Sequence, residues 1–234
     1  MSDPENEQPT TEPPTKAATG KGKSKARTNK ADPQGKKRQK RSAIQRPYPV
    51  VPYREATVIG DAIFKFAAGG KVRRLTLLEK LERNPNSSAT RMLITNSGKY
   101  GITVGSYAAE FLELTESGRT ACNPEYDRRT RLDAQFKLAV TGVAPFKVLY
   151  DTYVSKRLPA HEVMKDRLLD SDVEVDNPKE CIDLFVVNIK DLGLLRTIAG
   201  AETLVPIEQS LEEAGVESDP AIRSAPAGSQ VVEV

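Results

Sequence analysis

The run Ser87-Ser88-Ala89-Thr90-Arg91-Met92-Leu93-Ile94-Thr95-Asn96-Ser97-Gly98-Lys99-Tyr100-Gly101-Ile102-Thr103-Val104 passes from one periodicity to another. Ser87 has the short polar side chain of an N-cap, and Ala89, Met92, Leu93 and Asn96 recur at the spacing that lines one face of a helix. Ser88, Arg91 and Thr95 then fall on the outer face, until about Gly98. Ile102-Thr103-Val104 and Phe111-Leu112-Glu113-Leu114 are β-type runs, and the Gly105-to-Ala109 segment between them predicts a hairpin.

Two further helices precede this run. Val58, Ile59, Ala62, Ile63 and Phe66 have helical spacing, with Gly69-Gly70 as a stop. Thr76-Leu77-Leu78-Glu79 has the form of a capping box, after which Leu77, Leu78 and Leu81 make an apolar stripe that ends at Asn84-Pro85.

Three short helices followed by a hairpin resemble the winged helix-turn-helix superfamily. Lys99-Tyr100-Gly101-Ile102 is similar to the helix-to-strand passage of such domains, and Leu114-Thr115-Glu116-Ser117-Gly118-Arg119 is similar to the "LTxxGR" close of the wing. The likeness covers about residues 54 to 121 and implies a winged-helix DNA-binding-like domain over residues 47–123. In such domains the third helix enters the major groove and the wing reaches the backbone. The resemblance therefore makes Arg91 the natural base or phosphate contact, with Ser88 and Thr95 beside it and Lys99 and Tyr107 as backbone contacts. The wing itself, Gly105 to Glu110, holds no Lys or Arg.

Downstream the pattern recurs in weaker form. Leu132, Phe136 and Val140 predict a linking helix within residues 124–142, and Phe146, Leu149, Tyr150 and Tyr153 mark another after Gly142. A helix from Ala160 to Leu169 precedes Asn177-Pro178, a cap followed by a first-turn proline, which opens a helix to about Gly193. Leu194 to Ile198 and Thr203 to Val205 predict a second hairpin, giving a degenerate winged-helix-like unit over residues 143–207. The expected fold is mainly α with small β-hairpins: two winged-helix-like units flanked by disordered tails. Tandem units of this kind occur in uncharacterised bacterial proteins, so likeness of fold does not disclose a function. The helix after Pro178 is too apolar and too acidic to read a groove. The expectation is that this second unit packs on the first, or forms a homodimer or protein-partner surface.

The chain has 234 residues and a net charge of +3, which hides strong polarity. Residues 1–46 are nearly empty of large apolar side chains and are expected to be disordered. From residue 16 they form a basic arm with twelve Lys or Arg against one acid, Asp32. Within it Lys36, Lys37, Arg38, Lys40 and Arg41 can displace counterions from a polyanion without any fixed fold. Residues 208–234 hold six acids and one base and are expected to be a disordered acidic tail. Arg128, Arg129 and Arg131 cluster at the start of the linking helix, where the dipole disfavours cations. They are candidate phosphate contacts, and Glu125, Asp127 and Asp133 can compensate them equally well.

Composition narrows the chemistry. Cys122 and Cys181 lie far apart and His161 is the one histidine, so neither a zinc site nor a disulfide framework can be assembled. The alternating acids Asp170, Asp172, Glu174 and Asp176 lack the glycine and terminal Glu of an EF-hand loop. Gly20-Lys21-Gly22-Lys23-Ser24 lacks the strand and helix of a phosphate-binding loop. No metal, cofactor or catalytic residue is expected. No stretch approaches the roughly 20 apolar residues of a membrane span, and the start lacks a secretory signal. The expected location is cytoplasmic or nucleoid-associated, or nuclear in a eukaryotic source. The resulting expectation is a non-enzymatic protein that binds double-stranded DNA, a transcriptional regulator or DNA-organising factor, with RNA left open. The alternative is a winged-helix protein-interaction adaptor.

Overall fold

The computed structural model describes residue 46 and residues 48–218. These residues are mainly helical, with two small antiparallel sheets. The basic arm residues Lys36, Lys37, Arg38, Lys40 and Arg41 lie outside the described residues, as does the tail beyond Ser218.

In the first half, α1 (Tyr53–Ala67) leads through β1 (Val72–Arg73) into α2 (Arg74–Lys80) and α3 (Ser88–Lys99), then into β2 (Thr103–Val104) and β3 (Phe111–Leu114). The sheet order is β1-β3-β2, with Arg73 opposite Phe111 and Thr103 opposite Leu114. A short helix, α4 (Glu116–Cys122), follows. Then α5 (Arg128–Phe136) runs into a π-helical turn, Lys137–Thr141, which widens the ladder before Gly142.

The second half repeats this connectivity. It comprises α6 (Ala144–Tyr153), α7 (His161–Leu169), α8 (Pro178–Asp191), β4 (Leu195–Ile198), β5 (Ala201–Leu204) and α9 (Ile207–Ser218). Between α6 and α7 an extended segment hydrogen-bonds to β5: Leu158 N–H donates to the Glu202 carbonyl, and Arg157 bridges Thr203. That segment stands against β5 as β1 stands against β3.

The likeness extends to side chains. Gly101 and Gly193 both have φ of 73°, the left-handed geometry in which a β-carbon is disfavoured. Each ends its helix with the same bonds, Tyr100 to Asn96 and Ile102 to Ser97 in one case, Leu192 to Asn188 and Leu194 to Ile189 in the other. With Gly193 laid on Gly101, Asn188 falls on Asn96, Phe185 on Leu93 and Ile182 on Thr90, and all six are buried.

One hydrophobic core joins both halves, from Ile59, Ile63 and Leu77 to Phe146, Phe185 and Ile189. Asn188 is its polar hub. Its Oδ1 accepts from the Tyr53 N–H at 2.9 Å, and its Nδ2 donates to the Tyr100 hydroxyl at 3.0 Å and the Ala139 carbonyl at 3.2 Å. Every polar group of that amide is satisfied, the condition for burying one without penalty.

Several expectations need correction. Thr76 does not cap the second helix: the strand β1 feeds α2 directly, so the helix begins at Arg74 and Thr76 lies inside it. The inward face of α3 is Thr90, Leu93, Ile94, Asn96 and Ser97, whereas Ala89 and Met92 are exposed. Polar Thr90 and Ser97 can be buried because hydroxyls satisfy them, Ser87 donating to Thr90 and Thr103 to Ser97. Phe66 is 43% exposed, and Ala68, not a glycine, takes the left-handed position after α1. The acidic tail does not start at residue 208. Residues through Ser218 form α9, because Ile207, Ser210 and Ala214 turn one face inward and the Arg196 guanidinium forks onto Glu213 at 2.6 and 2.7 Å.

Candidate nucleic-acid interface

The outer face of α3 forms because the Ser87 hydroxyl accepts the Thr90 N–H at 3.1 Å and fixes where the helix starts. Ser88, Arg91 and Thr95 are all exposed on that face. Tyr107, in the loop between β2 and β3, is 47% exposed, and the Arg91 guanidinium lies over its ring, 5.7 Å from the centroid. Two residues from separate elements thus meet on one surface, with the ring quadrupole steadying the cation.

Lys99 stands apart from that group. It is half-buried and its ammonium donates to the Tyr48 carbonyl at 3.0 Å, holding the segment that leads into α1. Burial and then the nearby Arg46 lower its pKa, while Asp176 opposes them. The same segment is tied to the second half by Arg46, whose guanidinium meets Asp176 at 2.8 Å and Glu180 at 2.7 Å. The Tyr48 hydroxyl donates to Asp176 as well.

The segment between β2 and β3 holds no Lys or Arg, and cations stand beside it from elsewhere in the chain. Antiparallel pairing of β1 with β3 sets Lys71 and Arg73 against Phe111, with the charges 4.7 and 5.8 Å from its ring centroid. Arg74 donates to the Ala109 carbonyl at 2.9 Å and so holds the end of the loop between β2 and β3. Lys71 and Arg73 are exposed. The sequence signal for them was a single Val between basic residues, too short to stand as a strand.

The motif at Thr115 and Gly118 is a structural joint. The Thr115 hydroxyl donates to the Gly101 carbonyl at 2.6 Å and accepts the Gly118 N–H at 2.8 Å. A β-carbon on Gly118 would lie 2.0 Å from the Ile102 carbonyl oxygen, so only glycine fits there.

Arg128 and Arg129 are exposed on the first turn of α5, and Arg131 is half-buried one turn on. Asp127 caps that helix, accepting the Thr130 hydroxyl and N–H, which holds its carboxyl below the usual range. The helix start therefore already carries an anion. Cys181 is wholly buried and burial pushes its thiol up to about 12. His161 is exposed, its Nε2 3.0 Å from Asp183. Among the described residues no three His, Cys, Asp or Glu side chains gather as a metal site, and no helix is long and apolar enough to cross a membrane.

The equivalent face of α8 has the opposite character. With Gly193 on Gly101, Ser88 corresponds to Glu180, Arg91 to Asp183 and Thr95 to Val187. The hairpin β4–β5 turns in two residues, Ala199-Gly200, and has no counterpart of Tyr107. No family model matches this chain, and no curated protein or solved structure does either.

Proposed function

We propose that residues 53–122 are a winged helix-turn-helix and that the protein binds double-stranded DNA without catalysing a reaction. The third helix reads the groove through Ser88, Arg91 and Thr95, while Tyr107, Lys71 and Arg73 meet phosphates. The basic arm adds affinity that is independent of sequence. The observation that carries this reading is the contact between Arg91 and Tyr107, which unites the exposed helix face with the wing tip. The sheet order β1-β3-β2 and the cations that β1 lends to the wing support it. A regulator of transcription or a DNA-organising factor fits such a module.

The acidic, partly apolar face of α8 favours a second role for the other half, as a surface for protein partners. Fluorescence anisotropy of a labelled mixed-sequence duplex tests the main reading, with the full chain and with a chain lacking residues 1–45, across a salt series. The shortened chain should still bind, with a shallower salt dependence because fewer counterions are released. Loss of all binding with the arm would leave the folded part as a protein adaptor.

A further inference from the structure

The outer face of α3 is narrow and chemically selective. At about 100° per residue, Arg91, Thr95, Ser88 and Met92 fall within a single arc of about 100°, and all four are exposed. Lys99 ends the same arc but is half-buried on the Tyr48 carbonyl, so Arg91 is the arc's exposed charge. In the major groove each base asks for a different side chain: an amide suits adenine, a carboxylate suits cytosine, a cationic fork suits guanine, and an apolar group suits the methyl of thymine. The arc holds no carboxylate and no amide. Asn96, the amide of α3, is 1% exposed, with its polar atoms on the Val50 N–H and the Met92 carbonyl. Guanine and thymine are the bases this face can read.

Two features set the arc for that task. The Arg91 guanidinium rests over the Tyr107 ring, yet its side-chain donors meet no acceptor among the described residues. Arg74 and Arg196, by contrast, give theirs to Ala109 and Glu213. A ring face orients the guanidinium plane and leaves the N–H fork at its edge open. The second feature is Met92. With Gly193 laid on Gly101 its counterpart on α8 is Leu184, which is 8% exposed, whereas Met92 is 42% exposed. Only on α3 is that position bare, three residues from Thr95 and so next to its methyl on the helix surface.

We propose that α3 selects duplex sites in which a guanine stands within about two base pairs of a thymine. Arg91 donates to the guanine O6 and N7, and Met92 and Thr95 pack on the thymine 5-methyl. Tyr107 is a positioning residue that aims Arg91 at the groove. This selectivity rests on the DNA reading and goes beyond it by naming the bases.

The test is selection of duplexes by the full chain from a random-sequence pool at about 0.2 M salt, where sequence-independent binding is weakened. Anisotropy with base analogues in the enriched site then follows. At one guanine, 7-deazaguanine, which lacks N7, should weaken binding about fivefold or more, while inosine, which keeps O6 and N7, should bind within about twofold of the parent site. Deoxyuridine in place of the nearby thymine removes only the methyl and should weaken binding about threefold. Arg91→Ala should bind the guanine and 7-deazaguanine sites alike, and Met92→Ala should show a smaller methyl effect than the parent. Tyr107→Phe keeps the ring and should keep the preference for guanine. Tyr107→Leu should lower that preference about threefold and leave Tm unchanged. The proposal is overturned if no sequence is enriched, if the enriched site tolerates 7-deazaguanine at every guanine or deoxyuridine at every thymine, or if Arg91→Ala keeps the 7-deazaguanine penalty. Loss of the preference in Tyr107→Phe as complete as in Tyr107→Leu also overturns it. The chain lacking residues 1–45 separates these failures from failure of the DNA reading: it still binds duplex in the first case and not in the second.

Discussion

The helices α3 and α8 occupy corresponding places in the two halves, end on the same glycine turn and share four buried positions, Thr90 with Ile182, Leu93 with Phe185, Asn96 with Asn188 and Ser97 with Ile189, yet their outer faces differ in sign. Arg91 on one is Asp183 on the other, and Ser88 is Glu180. Burial constrains the inward positions, because a core position must be filled and its polar groups paired. The outward positions are free to carry function. The pair therefore separates what the shared architecture needs from what is free to vary, and only α3 presents the cation that the proposed DNA contact requires.

The largest expected effect tests the buried asparagines. Asn188→Ala strands the Tyr53 N–H and the Ala139 carbonyl in the core and should cost about 2–4 kcal/mol in chemical denaturation. Asn96→Ala should cost less, about 1–2 kcal/mol, because the Val50 N–H it would release is only partly buried. Equal losses would mean that Asn188 is not the hub joining the halves.

Next comes the outer face. Arg91→Ala should weaken duplex binding by the arm-deleted chain by about 1–3 kcal/mol. Asp183→Ala, at the matching place on α8, should change it by less than about 0.5 kcal/mol. A matching effect from both substitutions would erase the distinction between the two faces.

The paired glycines sharpen the structural side. Gly101→Ala and Gly193→Ala should each destabilise by about 1–2 kcal/mol, the cost of a β-carbon in left-handed geometry. A β-carbon on Gly193 meets nothing within 4 Å, and on Gly101 only Leu138 at 3.5 Å, so backbone conformation alone sets both values. Widely different losses would show that the two turns are not equivalent.

The smallest effect is at the entry segment. Partial desolvation raises the pKa of Asp176, but the Tyr48 hydrogen bond and Arg46 outweigh it and leave it depressed. A depressed carboxyl contributes stability above its unfolded pKa of about 3.9 and loses it as pH falls through the folded value. Tm measured from pH 6 down to 2 should fall less steeply below pH ~4 in Asp176→Asn than in the parent. Parallel curves would remove Asp176 from the acid response.

Most of this architecture could be read in the sequence. Ser87 and Asn177 announced their helices, and the hairpin strands near Thr103 and Phe111 lie where β-branched and aromatic residues concentrate. What escaped depended on partners distant in sequence. Lys71-Val72-Arg73 is too short to predict a strand and becomes one only by pairing with Phe111 and Leu112. Helix α9 was hidden by its acids, since Glu213 looks like tail until Arg196 is set beside it. Ser88, Arg91 and Thr95 were legible as an exposed face because helical spacing alone puts them there. The contact of Arg91 with Tyr107 needed the loop between β2 and β3 to come beside the helix.

Hydrogen–deuterium exchange of the full chain, with and without a saturating mixed-sequence duplex, tests the contrast between the two faces most directly. Slowed exchange is expected in α3, residues 88–95, and in the loop after β2, residues 104–108, with none in residues 180–187 of α8. Protection of residues 180–187, or no protection anywhere between residues 53 and 122, would contradict it.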